Sequence, residues 1–203
     1  MAIAIVILVV RSRSSGTAPV AVPAWPSAAA PAGTPGSALP TAGATTSSPA
    51  AGVLGASCSD DRGGYSIDYP ADWSTSSDPG WVCQLFDPQP IVIQPDTEVP
   101  MVAVTVYTEN YRMTKVFYAL TDPTFYQVLS TEQGTFSDSG RSGTILETKS
   151  TAGGYWPRGT LTYTVLVDRL DSTIGVTTND LVGDYEQNKQ IVLAMAQSLQ
   201  IAS

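Results

Sequence analysis

Few residues of this chain have the means to do chemistry, and the loop "TAGGYWPRG", residues 151–159, gathers the most suggestive of them. Tyr155 and Trp156 offer stacking surface with a polar edge, and Arg158 beside them offers a planar fork of positive charge. Such a trio suits recognition of a partner. The competing expectation is that Trp156 folds back over a sheet edge while the glycines make the turn. Neither asks for bond-breaking chemistry.

Catalytic groups are scarcer still. The chain contains no histidine, which excludes Ser-His-Asp and Cys-His arrangements for want of a base. "GRSG" at 140–143 falls short of a nucleophile elbow because Thr144 stands where the last glycine belongs. No serine lies three residues before Lys115, Lys149 or Lys189, so a serine–lysine pair is unsupported. Carboxylates remain, since paired acids cleave glycosidic bonds without histidine. Asp60, Asp61, Asp68, Asp72, Asp78 and Asp87 cluster early, but strand and turn roles account for Asp68, Asp72 and Asp87. In "SDDRGG" Arg62 interrupts the acids and calcium-loop spacing is missing. Two cysteines without histidine do not make a zinc site. The expectation is no catalytic residue, no metal and no cofactor. A net charge of −8 with only ten Lys and Arg residues argues against a nucleic-acid partner.

These residues must be carried by a fold, and part of the chain of 203 residues is not built for one. "MAIAIVILVV" is apolar throughout, yet is half the length of about 20 residues that a membrane-spanning helix needs. Arg11 and Arg13 follow it instead of preceding it, unlike a signal peptide. Residues 1–13 therefore read as the remnant of an anchor or signal with a truncated start, the alternative being a buried or frayed apolar terminus. Residues 14–57 are almost entirely Ala, Pro, Ser, Thr and Gly, with no charge between Arg13 and Asp60. Too little apolar surface is available there to offset ordering entropy, so a disordered linker is expected. One globular domain is expected over 58–203.

Cys58 and Cys83 are the only cysteines. Beside an apparent export segment they favour a disulfide, with two buried thiols in a cytosolic protein as the alternative. Cys58 lacks the context of a lipid-attachment cysteine, since "LGASC" has no large aliphatic residue three positions before it.

Period-two alternation predicts strands in "YSIDY", "WVCQLF", "MVAVTVY", "GTILETK", "TLTYTVLVD" and "STIGVTT". Pro70 is expected to end the first, and Trp81, Cys83 and Leu85 to share a face of the second. Residues 184–199 carry Val192, Met195 and Leu199 at helical spacing behind Asp184, a good N-cap. "TKVFYALTDPTFYQVL", residues 114–129, predicts two short helices divided at Asp122-Pro123. Strands with occasional helices imply an α+β domain, helices packed on an antiparallel sheet.

The series "GYSIDYPADW", "CQLFDPQP", "VAVTVY", "GYWPRGTLTYTVLVD" and "IVLAMAQSL" resembles a group of exported, uncharacterised actinobacterial domains, similar in turn to the PsbP/Mog1/LpqN-like superfamily. That resemblance spans residues 58–203 and implies an antiparallel sheet sandwiched by helices, in accessory or binding modules without common catalytic residues. The expected function is an extracytoplasmic accessory domain, membrane-anchored by its N-terminus alone or secreted, that binds an envelope protein or an apolar small molecule. A carboxylate-dependent carbohydrate-active enzyme and a structural spacer on a stalk are the rival classes.

Overall fold

Most of the alternating segments fold as strands. The computed structural model describes residues 54–94, 99–137 and 140–202, all within one compact unit. In chain order the elements are β1 (Leu54–Asp60), β2 (Tyr65–Pro70), β3 (Ser74–Thr75), β4 (Leu85–Asp87), β5 (Val104–Glu109), α1 (Met113–Leu120), β6 (Tyr126–Phe136), β7 (Arg141–Ser150), β8 (Leu161–Asp168), β9 (Thr173–Asn179), α2 (Tyr185–Gln197) and β10 (Gln200–Ile201). A small sheet has the order β1-β2-β10 and a large one β3-β4-β5-β9-β8-β7-β6, with every pairing antiparallel. The domain is α+β, as its pattern of elements implied.

The large sheet buries one face against α2. Val106, Val176, Val165 and Ile145 stand in register across β5, β9, β8 and β7, and all belong to or pack on one core with Ile191, Val192 and Met195 of α2. Leu199, just past the helix, and Ile67 of β2 close that core from the small sheet. Burying each such side chain contributes roughly 1.5–3 kcal/mol. α2 starts where its cap predicts, the Asp184 carboxylate accepting the Gln187 N–H. On the opposite face Leu146 and Leu166 are buried, and the Thr144 hydroxyl meets Met113 Sδ of α1. Tyr107 of β5 lies across from Gly175, where an added Cβ would fall 2.2 Å from the ring, so only glycine leaves room for it.

The structure departs from the sequence expectation in four places. Only one helix forms in 114–129: α1 ends at Thr121, whose hydroxyl bonds back to Phe117 O, and from Tyr126 the chain is β6, paired with β7 along almost its whole length. Its β-prone residues find a long partner, which outweighs local helical spacing. "WVCQLF" is a strand only from Leu85, because Cys83 adopts a left-handed backbone (φ 57°) within a turn closed by Gln84 N–H to Trp81 O. Trp81, Cys83 and Leu85 therefore do not form a strand face. β5 starts at Val104, so Val102 is buried ahead of the strand. β1 begins at Leu54, four residues inside the expected linker. The rest of that linker and the expected anchor remnant at 1–13 lie outside the described residues. Among the described residues no helix is long and apolar enough to cross a membrane.

Candidate functional site

The 151–160 segment is the hairpin connection between β7 and β8, and its foot is fastened from both sides. Ser150 N–H donates to Thr160 O and Gly159 N–H to Ser150 O, each at 2.9 Å. Its rising limb rests on the residues ahead of β6: Thr151 N–H donates to Phe125 O, and the Thr151 hydroxyl to Thr124 O at 2.6 Å. Gly154 passes so near this support that an added Cβ would lie 2.8 Å from Phe125 O and 3.3 Å from Ser150 Cβ. Glycine is needed there for the close approach.

On this base Tyr155 is 63 % exposed, and Trp156, half-buried, meets it edge to face with ring centroids 4.8 Å apart. Arg158 is exposed and lines an open groove of about 650 Å³, whose lining does not include the two rings. Gln127, Lys149, Ser150, Thr151, Ala152 and Gly159 complete its walls. The expected trio is thus divided into an aromatic pair and a cation that lines a neighbouring groove. The sequence pattern does not group Lys149 and Gln127 with Arg158, because they belong to β7 and β6; a hairpin closed at the feet of the loop points to Lys149 and Ser150.

A second, polar depression of about 290 Å³ is lined by Asp60, Arg62, Gly63, Gln84, Tyr107, Thr108 and Asn110. Its charged groups are already occupied. Asp60 accepts the Arg62 N–H, and the Arg62 guanidinium donates to Pro79 O. Two of the other early carboxylates are also held by backbone: Asp78 accepts from Gly80, and Asp87, nearly buried, accepts from Gln89 and Ala103. Ser142 of "GRSG" lies within β7 opposite Thr135, far from the sharp strand-to-helix turn an elbow requires. Among the described residues no three His, Cys, Asp or Glu side chains converge on a common point.

The densest electrostatic cluster joins α2 to the large sheet. Lys189 Nζ donates to Glu147 at 3.1 Å and to Glu186 at 3.3 Å, the Tyr185 hydroxyl donates to Glu147 at 3.0 Å, and the ammonium lies 5.3 Å from the Tyr163 ring centroid. Burial drives the Tyr185 phenol far above its ordinary value, reinforced by the hydrogen bond to Glu147. Burial pulls the Lys189 ammonium down, but the bonds and charges of Glu147 and Glu186 outweigh it and leave it raised.

The expected Cys58–Cys83 disulfide is present, with Cα atoms 5.7 Å apart, and links β1 to the turn before β4. Tyr65 donates to Cys83 O at 2.9 Å, fixing the left-handed residue a second time.

No protein-family model matches the chain, and no curated protein matches its sequence. Its fold is similar to a solved structure of cyanobacterial PsbP, CyanoP, from Synechocystis sp. PCC 6803. The TM-score is 0.39 at 14 % identity, over 79 % of this chain and 98 % of that one. A likeness of that degree says nothing about what this chain binds.

Proposed function

We propose that the chain is an extracytoplasmic accessory domain that binds a partner of the cell envelope through the β7–β8 loop and performs no catalysis. The observation that carries this reading is the exposed Tyr155, packed edge to face on the half-buried Trp156, on a loop whose base is tied down by main-chain bonds and by Thr151. Exposed aromatic surface on a rigid support loses little freedom on binding. The absence of catalysis is supported by the lack of histidine and by the backbone engagement of Asp60, Asp78 and Asp87. The compartment is supported by the disulfide, which persists in oxidising surroundings, and tethering by the apolar "MAIAIVILVV" and the linker after it.

The test is a Tyr155→Ala, Trp156→Ala double variant, its fold checked by circular dichroism, measured beside the wild type for binding to immobilised envelope fractions by interferometry. Losing an anchor of this kind costs about 2 kcal/mol, a weakening of about thirtyfold. Equal binding by both proteins overturns the loop as the binding surface. Turnover of a glycan or ester substrate, abolished by a carboxylate substitution, overturns the non-enzyme reading.

A further inference from the structure

Of the ten Lys and Arg residues, Arg11 and Arg13 lie outside the described residues, and most of the others have a partner in the fold. Arg62 bonds Pro79 O, Arg112 pairs with Asp171, Lys115 stands over the Tyr111 ring, Arg169 bonds Gly63 O and Lys189 pairs with Glu147 and Glu186. Arg141 is half-buried at the opposite end of β7 from Lys149. Among the described residues Lys149 and Arg158 are the exposed cations whose side chains make no ion pair, hydrogen bond or ring contact, and both line one groove.

In a chain of net charge −8, two cations without an ion pair line one open groove whose lining contains no acid. Gln127 adds an amide from the facing strand. A guanidinium fork and an ammonium beside the neutral Gln127 amide form a donor set for a phosphate or carboxylate. The aromatic pair next to Arg158 supplies a surface against which a sugar or polyol chain can lie.

From this donor set we infer that the groove between Lys149 and Arg158 is an anion subsite, and that the ligand of the β7–β8 loop is an acidic saccharide or polyol polymer rather than an apolar molecule. This rests on the proposed binding role of the same loop and names the chemistry of its ligand. The phosphodiester and the carboxylate share that chemistry, and both are tested.

The experiment is calorimetric titration of the full chain with a glycerol phosphate hexamer, a galacturonate hexamer and neutral maltohexaose. Binding of at least one acidic hexamer and none of maltohexaose is expected, weakening as salt shortens the screening length to about 3 Å at 1 M. A Lys149→Gln, Arg158→Gln variant should bind at least tenfold more weakly, and the arm that binds names the anion. Maltohexaose binding equal to that of the acidic hexamers, or undiminished acidic binding in the glutamine variant, overturns the anion subsite, as does a failure of both acidic hexamers to bind. Loss of envelope binding in the Tyr155, Trp156 variant alongside any of those results leaves the loop standing as a binding surface and removes only the anionic ligand.

Discussion

Glu147 and Lys149 stand two residues apart on the same face of β7, and the molecule treats their neighbourhoods oppositely. Around Glu147 every charge is answered: Lys189 and Tyr185 both donate to it from α2, and Glu186 takes a second bond from Lys189. Around Lys149, where the sheet gives way to the β7–β8 loop, the charged residue that shares its groove is Arg158, of the same sign. Helix packing half-buries the first site, and charges removed from water have to be matched or they destabilise the fold. At the second, Lys149 and Arg158 are exposed, so the fold tolerates charge there unmatched. The sites therefore differ: the first holds α2 to the sheet, whereas the second is where the proposed binding would use charge that folding leaves unmatched.

The largest effect expected comes from outside both sites and separates stability from binding. Replacing Cys58 and Cys83 with serine should lower stability by about 3 kcal/mol, as expected for a link across 25 residues, read as a lower urea midpoint. Acidic-ligand binding should be retained at temperatures where the variant is folded, since neither cysteine touches the groove. Next comes the direct contrast between the lysines. Lys189→Ala should cost about 1–3 kcal/mol because it leaves Glu147 half-buried without its cation. Lys149→Ala should stay within about 0.5 kcal/mol. Equal losses would break the comparison.

The chemical pattern of the two sites was unequally legible in the sequence. α2 could be read to its cap, since Asp184 and the Ile191, Val192, Met195 stripe state both its start and its buried face. β8 was legible for the same reason, with Leu161, Tyr163, Val165 and Val167 alternating against threonines. β6 was not. Most of its residues are exposed on both faces, so no alternation marks it, and a bulge between Val128 and Ser130 further breaks the period. Cys83 hid its turn because the left-handed backbone interrupts what looks like an alternating run. Tyr155, Trp156 and Arg158 were visible as a cluster of types, but the groove that Arg158 shares with Lys149 and Gln127 depends on strand pairing that brings distant residues together.

A smaller effect sharpens the contrast through pH. Tyr185 and Lys189 both have raised folded values, so each holds its proton in the folded state after the unfolded chain begins to release it. Their stabilisation is complete below about pH 10, the ordinary phenol value, and is lost as pH climbs through the folded values. Urea midpoints measured from pH 8 upward should fall beyond about pH 10, and Tyr185→Phe should flatten that fall. Lys149→Ala should leave the profile unchanged. An identical alkaline slope in the Tyr185→Phe protein would contradict the coupling of α2 to Glu147.

The claim that binding capacity lies where folding has left it unused is tested most directly by an amide chemical-shift map of the full chain titrated with solubilised cell-envelope polysaccharide. The account predicts that the largest shifts fall on Gln127 and residues 149–159, with residues of the Glu147–Lys189 cluster and of the depression around Asp60, Arg62 and Gln84 unmoved. Shifts concentrated at either of those other places, or none in the β7–β8 loop while binding is evident by calorimetry, would contradict it.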